Sequence, residues 1–155
     1  MKKTISVLIS FVLLISFLPI QALAMTGSGT ESNPYLVSSA SDINNIHNDL
    51  SGHYRLTCDI DMSGVDFEPI GNESEGAFTG TIDGNGHTIS NLNLDLPGNK
   101  YVGFVGYLEG SIKNIYLSNV TISGYKYVGA IAAYTSETSN IQNVGNYSGS
   151  IRGVQ

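Results

Sequence analysis

The stretch Ala77–Leu96, AFTGTIDGNGHTISNLNLDL, decides the fold of this chain. Its alternating apolar residues predict a strand over Ala77–Ile82 and two short strands over His87–Leu96, with a bend near Asn91. Between the strands lies Asp-Gly-Asn-Gly, a sequence that favours a tight turn because its residues tolerate positive φ. The second half of the stretch returns twice later in the chain, which makes it the unit of a repeat.

Two short motifs recur at spacings of 23 to 29 residues. Ile89-Ser-Asn-Leu92 is followed by Ile112-Lys-Asn-Ile115 and Ile141-Gln-Asn-Val144, and Tyr101-Val-Gly103 is followed by Tyr127-Val-Gly129. Such periods, with β-branched strands, Gly or Asn punctuation and no helical pattern in the repeat, are typical of all-β solenoids. The sequence therefore predicts a short right-handed parallel β-helix, whose hand follows the general rule for parallel crossovers.

The asparagines inside the repeats have a structural explanation. Asn91, Asn114 and Asn143 are expected to stack at one corner, since Asn tolerates the left-handed conformation and its amide can donate to the Asn of the next coil. Tyr101 is expected near Tyr127. Two aliphatic rows are expected beside the ladder: Ile89, Ile112 and Ile141 in one, and Leu92, Ile115 and Val144 in the other. The alternative is that these asparagines are independent turn residues.

One helix is predicted before the strands, over Ser38–Leu50. Ser39-Ala-Ser-Asp42 has the form of a capping box, and Gly52 supplies a helix end. The apolar residues that recur on one helical face are Ile43, Ile46 and Leu50. We expect this helix to cover the N-terminal end of the stacked strands.

The first 24 residues have the form of a signal peptide. Lys2 and Lys3 precede the apolar run Ile5–Ile20, and an A-x-A site ends at Ala24. We expect cleavage after Ala24, which leaves Met25–Gln155 as a single β-helix domain. The alternative is a retained membrane anchor, but the run contains polar residues and is shorter than the ~20 apolar residues of a membrane span.

The chain beyond the predicted cleavage site is acidic. Without Lys2 and Lys3 it has five basic and thirteen acidic residues, a formal net charge of −8. This charge argues against nucleic acid and anionic membranes as partners. We expect a secreted or cell-surface protein that does not insert into a membrane after cleavage.

Three passages carry a family resemblance: Gly52–Met62, Phe67–Ile89 and Tyr101–Tyr107. Together they resemble the bacterial GLUG-motif β-helix proteins, a family that includes the N-terminal region of immunoglobulin A proteases. The resemblance runs from about Gly29 to the C-terminus, although Ala132 replaces a glycine of the motif in the last coil. It implies a secreted or wall-associated, non-catalytic module, often part of a longer chain. It does not imply a protease, because the zinc motif His-Glu-x-x-His is absent.

The C-terminal end of the predicted solenoid has no capping element. The sequence ends at Ile151–Gln155, close behind a strand, whereas a solenoid normally needs a polar cap at each end. We therefore expect the β-helix domain to be incomplete at this end, or the end to be covered by a partner.

Four acidic residues could form a calcium site, since Ca²⁺ binds clustered carboxylates. They are Asp59, Asp61, Asp66 and Glu68. Their spacing does not match an EF-hand loop, and Asp59 and Asp61 lie on the outward face of the strand predicted over Tyr54–Met62. We expect solvated surface charges, with a weak Ca²⁺ site as the alternative, and assign no metal ligand.

Asp83 and His87 offer an acid and an imidazole across the tight turn. A β-helix hydrolase or lyase needs two or three carboxylates at a set separation, and Asp83 has no second carboxylate on a neighbouring repeat. Cys58, the single cysteine, is expected to be a small buried residue. A nucleophilic role would need a base such as His53 and a third, orienting group. We assign no catalytic residue, no cofactor-binding residue and no cofactor.

Tyrosine is concentrated in the last third of the chain, and it is common in recognition surfaces. The residues are Tyr101, Tyr107, Tyr116, Tyr125, Tyr127, Tyr134 and Tyr147. If several share one face, that face could bind an extracellular glycan or protein; otherwise they pack at coil corners. Three functions follow as hypotheses: a non-enzymatic adhesion or recognition module, a carbohydrate-active lyase or hydrolase, and an accessory domain of a larger secreted peptidase.

Overall fold

The computed structural model describes residues 25–154. The predicted signal peptide and its cleavage site therefore lie outside the described residues. Within the described range the chain forms twelve strands. They are β1 (Tyr35–Val37), β2 (His53–Leu56), β3 (Ile60–Asp61), β4 (Thr81–Asp83), β5 (Thr88–Ser90), β6 (Asn93–Val102), β7 (Val105–Leu108), β8 (Ser111–Ser118), β9 (Val120–Val128), β10 (Ala132–Thr135), β11 (Asn140–Asn146) and β12 (Gly149–Gly153).

The strands stack in three parallel sheets. The first sheet contains β1 to β5, β8 and β11, the second contains β6, β9 and β12, and the third contains β7 and β10. Single parallel bridges from Ile70 to Val105 and from Phe78 to Leu108 extend the third sheet by one coil. Every strand pairing is parallel and joins successive coils, so the fold is a β-solenoid of about four turns. The predicted fold class, a parallel β-helix with one N-terminal helix, is confirmed.

The helix begins as predicted but is shorter. Ser39 is the N-cap, and its hydroxyl accepts a hydrogen bond from the backbone N–H of Asp42 at 3.1 Å. The α-helix α1 spans Ala40–Asn44, and a 3₁₀ turn over Asn45–Asn48 replaces the rest of the predicted Ser38–Leu50 helix. Asn and His are weak helix formers, so the last turn tightens instead of continuing.

This short helix closes the N-terminal end of the solenoid. Ile43 and Ile46 are fully buried in the core. Asn44 Nδ2 donates to the carbonyl oxygen of Asp66 at 3.1 Å, which ties the helix to the coil above it. The predicted capping role is therefore carried by two buried aliphatic side chains and one polar contact.

The single strand predicted over Tyr54–Met62 is two strands, β2 and β3, with a corner between them. Tyr54 and Met62 at its two ends are buried, as expected for one inward face. Cys58 lies at the corner, half-buried, and its thiol donates to the carbonyl oxygen of Ser38 at 3.3 Å. The expectation that Cys58 is a buried residue is wrong, because the chain bends at this position.

The predicted register of the first repeat is also wrong. Ile89 pairs with Leu117 rather than with Ile112. Ile112 pairs instead with Ile82 below it and with Ile141 above it. Asn91 and Asn114 lie at different bends of their coils, so the similarity of the two motifs aligns Ile89 with the wrong neighbour.

The predicted asparagine ladder is present, but its residues are divided between two ladders at different corners of the solenoid. In the first ladder, Asn143 Nδ2 donates to Asn114 Oδ1 at 3.0 Å, and Asn114 Nδ2 donates to Asp83 Oδ1 at 3.1 Å. Asn114 and Asn143 are left-handed, with φ of 53° and 50°. The predicted stacking of these two asparagines is confirmed. The ladder begins at an aspartate, because an ionised carboxylate can accept the last hydrogen bond but cannot donate another.

Asn91 belongs to the second ladder, at the corner between the first and second sheets. Asn119 Nδ2 donates to Asn91 Oδ1 at 2.6 Å, and Asn91 Nδ2 donates to Asp61 Oδ1 at 2.7 Å. Both asparagines are left-handed, with φ of 59° for Asn91 and 51° for Asn119. The second ladder thus repeats the design of the first and also begins at an aspartate.

Candidate functional site

A pair of tyrosines occupies the corner between the second and third sheets. Tyr101 and Tyr127 both have left-handed backbones, with φ of 59° and 56°. This conformation costs a bulky residue roughly 1–2 kcal/mol, which Asn or Gly would largely avoid. Their rings stack at a centroid distance of 4.9 Å and an angle of 7°, so the predicted proximity is confirmed. Strained residues that persist in a fold are often found at functional positions.

Two more tyrosines from the third sheet complete a cluster. Tyr107 stacks against Tyr101 at 6.2 Å, and Tyr134 packs edge-on against Tyr107 at 4.9 Å. Tyr134 is also edge-on to Tyr127 at 5.8 Å. We call Tyr101, Tyr107, Tyr127 and Tyr134 the tyrosine cluster. The cluster reaches solvent, since 40% of Tyr127 and 39% of Tyr134 are exposed.

The remaining tyrosines do not join this cluster. Tyr116 and Tyr147 stack on each other at 5.3 Å, beside the first ladder, where the Tyr116 hydroxyl donates to Asn143 Oδ1 at 3.0 Å. The tyrosine-rich segment therefore contributes to two faces of the solenoid, and only one of them holds four rings together.

A groove of about 440 Å³ adjoins the cluster at Tyr101. One wall is the loop Asn72–Gly76, where Asn72 Oδ1 accepts from the backbone N–H groups of Ser74 and Glu75 at 2.8 and 3.0 Å. The other wall is the bulge between Leu96 and Lys100. Rigid coils thus hold two loops around one concave surface, an arrangement common to binding sites.

The groove is acidic. Glu68, Glu73 and Glu75 line it together with a single basic residue, Lys100. Lys100 Nζ lies 3.8 Å from Glu73 Oε1 across the groove, and His47 Nδ1 lies 2.8 Å from Glu75 Oε2 beneath it. Carboxylate oxygens in such a groove accept hydrogen bonds from hydroxyl or ammonium groups of a ligand.

The structure does not bring Asp83 and His87 together. Asp83 Oδ1 accepts hydrogen bonds from Asn114 Nδ2 and from the backbone N–H of Asn85, at 3.1 and 2.9 Å. Arg55 and Lys113 lie 3.6 and 3.7 Å from Asp83 Oδ2. Burial favours the neutral acid, but these hydrogen bonds and charges outweigh it and hold the pKa of Asp83 below its usual value.

His87 instead contacts Asp59. Its Nδ1 lies 3.2 Å from Asp59 Oδ1, which also accepts the backbone N–H of Thr88 at 2.9 Å. The Thr88 hydrogen bond, together with His87, lowers the pKa of Asp59. Asp61 has a lowered pKa because Asn91 and then Ser63 donate to it. The carboxylates of Asp59 and Asp61 are therefore held by the corner of the coil.

The other residues of the proposed calcium cluster do not join Asp59 and Asp61. The backbone carbonyls of Asp66 and Glu68 face the helix, with the Glu68 oxygen 3.2 Å from His47 Nε2. Among residues 25–154, no three His, Cys, Asp or Glu side chains are placed to hold a metal ion.

A family model described as the M26 IgA1-specific metallo-endopeptidase N-terminal region matches residues 29–147. The chain belongs to this family. The resemblance to the N-terminal region of immunoglobulin A proteases is thereby confirmed, and it extends from ahead of β1 to the end of β11.

A solved structure has the same architecture. A candidate immunoglobulin A1 protease from Bacteroides ovatus superposes with a TM-score of 0.67 and 27% sequence identity, over 77% of this chain and 39% of that chain. The structural relative is therefore much longer than the part that this chain matches.

Two curated proteins match about half of the chain. Halomucin of Haloquadratum walsbyi is 46% identical over 90 residues, which are 51% of this chain and 1% of Halomucin. A candidate Gly-rich membrane protein of Evansella cellulosilytica is 35% identical over 85 residues, which are 50% of this chain and 10% of that protein. The chain thus spans a small part of each relative. In the described part of this chain, no helix has the length and apolarity to cross a membrane.

The groove is the feature that sequence reasoning missed. Its signal is a change of spacing: Leu94 pairs with Ile122, 28 positions later, whereas Val102 pairs with Val128, 26 positions later. The earlier coil therefore carries two extra residues between Leu96 and Lys100, and these form the outer wall of the groove.

Proposed function

We propose that this chain is a non-enzymatic recognition module, an accessory domain of a larger secreted or surface protein, that binds extracellular glycans. The family relation supports the accessory role, because the matched region is the N-terminal region of a peptidase family. The signal-peptide form of the first 24 residues and the similarity to a candidate membrane protein support a location outside the cell.

A structural role for the acid and imidazole groups supports a non-enzymatic function. Asp83 is the first acceptor of the first ladder, and His87 is paired with Asp59 rather than with Asp83. A glycosidase needs two carboxylates flanking one bond, with one of them available as a general acid. The lowered pKa of Asp83 favours the ionised form, which cannot supply a proton.

The observation that carries the proposal is the position of the tyrosine cluster beside the groove. Aromatic rings pack against the apolar faces of sugar rings, and polar groups of a concave site bind the sugar hydroxyls. Tyr101 belongs to both the cluster and the groove lining, so one extended ligand can contact both. The exposed parts of Tyr127 and Tyr134 extend this surface along the solenoid.

The charge of the groove selects the class of glycan. Three glutamates and one lysine line it, so it repels carboxylated and sulfated polymers and accommodates neutral sugars and amino sugars. We therefore expect chitosan hexamer to bind most tightly, cellohexaose less tightly, and alginate hexamer not at all.

Isothermal titration calorimetry with these three oligosaccharides tests the proposal. We expect Tyr134→Ala to weaken binding of chitosan hexamer about tenfold, a loss of about 1.4 kcal/mol. Tyr147→Ala is the matched control, because it removes a more exposed tyrosine from the other face. Equal losses in both variants, or no binding of any oligosaccharide by the parent chain, would refute glycan recognition at the cluster.

The same oligosaccharides test the absence of catalysis. After prolonged incubation, we expect chromatography to show no shortened products. Shortened products that disappear in Asp83→Asn would establish a carbohydrate-active enzyme in place of a binding module.

A further inference from the structure

A second concave surface lies on the outward side of the first sheet. Two rows of polar side chains cross strands β2, β4 and β8 there: His53, Thr81 and Ser111 in one row, and Arg55, Asp83 and Lys113 in the other. Both rows line a cavity of about 270 Å³, and we call this surface the donor face. Each of the three strands is paired on both sides, so the donor face does not depend on either end of the solenoid.

Two cationic groups of the donor face converge on one carboxylate oxygen. Arg55 Nη2 lies 3.6 Å and Lys113 Nζ lies 3.7 Å from Asp83 Oδ2. Both distances exceed the roughly 3 Å of a hydrogen bond, so the N–H groups of the two cations are not taken up by Asp83. The side chains of Arg55 and Lys113 are also 52% and 42% exposed. Because both reach the same oxygen atom, one small anion in the cavity can contact both.

The second row adds uncharged hydrogen-bonding groups beside the cations. His53, Thr81 and Ser111 are half-buried, which limits the freedom of their side chains. Within residues 25–154, these three side chains make no hydrogen bond to another group of the chain. A hydroxyl and an imidazole can each donate one hydrogen bond. The face therefore presents donors from five side chains around one cavity.

Charge distinguishes the donor face from the groove. Two acids, Glu31 and Asp83, and two bases, Arg55 and Lys113, line the donor face, whereas three glutamates and one lysine line the groove. Two of the five basic residues counted from Met25 onward are therefore concentrated here. An anion that the acidic surface repels elsewhere can approach this face. Since guanidinium and ammonium groups donate and do not accept, the matching ligand carries oxygen acceptors.

We propose that the donor face binds a phosphate group. The oxygens of phosphate point in tetrahedral directions, so one group can accept from the cations of one row and the hydroxyls of the other, whereas the two oxygens of a carboxylate lie in one plane. The Arg55 guanidinium can bind two of these oxygens at once. Asp83 opposes binding, because its ionised carboxylate repels the phosphate and competes for both cations. This site does not involve the tyrosine cluster and stands independently of the proposed glycan binding.

Isothermal titration calorimetry of the chain with inorganic phosphate, at low ionic strength, tests the proposal. We expect Arg55→Gln and Lys113→Gln each to weaken phosphate binding about tenfold, since each removes a charged donor. Lys126→Gln is the matched control, because it removes the same charge from β9 in the second sheet, and it is expected to bind phosphate like the parent chain. No phosphate binding by the parent chain, or equal losses in Lys126→Gln and Arg55→Gln, would overturn the proposal.

Asp83→Asn gives a test in the opposite direction. Its side-chain oxygen can still accept the hydrogen bond from Asn114, but the negative charge between the two cations is gone. We expect phosphate to bind this variant more tightly than the parent chain, and unchanged or weaker binding would contradict the site.

Two further ligands identify the source and the chemistry of the anion. Tighter binding of poly(glycerol phosphate) than of inorganic phosphate assigns the site to a phosphodiester polymer, and weaker binding assigns it to free phosphate. Binding of alginate hexamer as tight as that of phosphate, with the same loss in Arg55→Gln, would overturn the choice of phosphate over carboxylate.

Discussion

Two kinds of corner in this solenoid have the same backbone conformation and opposite side-chain chemistry. Asn114 and Asn143 are left-handed with φ near 50°, and Tyr101 and Tyr127 are left-handed with φ near 60°. At the asparagine corner the side chains hydrogen-bond from coil to coil and finish on Asp83. At the tyrosine corner the side chains stack as rings and remain accessible to solvent.

The difference shows which corner the backbone requires. Asparagine adopts the left-handed backbone conformation at little cost, and its side-chain amide hydrogen-bonds to the neighbouring coils. The fold therefore explains why asparagine occupies this corner. Tyrosine does not relieve the backbone strain and makes no hydrogen-bonded ladder. Its rings could stack equally well from positions without a left-handed backbone, so the fold does not explain why tyrosine occupies this corner. We therefore interpret the asparagine corner as structural and the tyrosine corner as the recognition surface.

The largest expected effect is on stability, at the asparagine corner. Asn114→Leu removes the hydrogen bonds on both sides of the first ladder and forces an aliphatic residue into the left-handed region. We expect a loss of roughly 3 kcal/mol in the free energy of unfolding. Thermal unfolding followed by circular dichroism should show a melting temperature lower by about 10 °C.

Asn114→Gly separates the two causes, because glycine tolerates the left-handed backbone but cannot continue the ladder. We expect its melting temperature to lie between those of Asn114→Leu and the parent chain. A melting temperature of Asn114→Leu equal to that of the parent chain would show that the ladder has no stabilising role.

The second prediction exchanges the chemistry of one corner for that of the other. Tyr127→Asn keeps a residue suited to φ of 56° and removes one ring of the cluster. We expect the free energy of unfolding to change by less than about 1.5 kcal/mol, because lost stacking and relieved strain oppose each other. Binding of chitosan hexamer, measured by calorimetry, should weaken about tenfold. A large loss in the free energy of unfolding with unchanged binding of chitosan hexamer would show that the tyrosine corner is structural and is not a recognition surface.

The third prediction concerns acid. Because the folded chain holds the pKa of Asp83 below its usual value, ionised Asp83 stabilises the fold at pH values above the unfolded pKa, about 4. This contribution is lost as the pH falls through the lower, folded pKa. We expect the melting temperature to fall on acidification, and to fall less in Asp83→Asn. Identical pH profiles for the two proteins would show that the charge of Asp83 does not matter.

The smallest expected effect lies at the groove. Lys100→Gln removes the single basic residue of the groove lining and the 3.8 Å contact with Glu73, an exposed ion pair of the kind worth roughly 0–1 kcal/mol. We expect an unchanged melting temperature and slightly tighter binding of chitosan hexamer, measured by the same calorimetry. Weaker binding of the amino sugar would contradict the assignment of the acidic groove to this ligand class.

The sequence predicts the repeat and its corners better than it predicts their register. Asparagine tolerates the left-handed region, so Asn114 and Asn143 can be recognised as corner residues without a structure. However, asparagine can occupy either of two bends, as Asn114 and Asn119 do within one coil, and Ile89-Ser-Asn-Leu92 resembles Ile112-Lys-Asn-Ile115 although it lies at the other bend. The pairing of Ile82 with Ile112 decides the register, and no short sequence motif predicts that these two residues are neighbours.

The candidate site shows the same limit. The recurrence of Tyr101-Val-Gly and Tyr127-Val-Gly places two rings together, because they occupy equivalent positions in successive coils. Tyr107 and Tyr134 come from another sheet, and a sequence pattern does not show that a corner brings the two pairs into contact. The groove depends on the two extra residues before Lys100, which become visible only when the register is known.

Chemical-shift mapping by NMR with chitosan hexamer distinguishes a recognition role of the tyrosine corner from one of the asparagine corner, because it observes both corners in one sample. We predict shifts concentrated on the tyrosine cluster and the groove, with the signals of Asn91, Asn114, Asn119 and Asn143 unchanged. Shifts concentrated on these asparagines, or the absence of any shift at the four tyrosines, would contradict the assignment of recognition to the tyrosine corner.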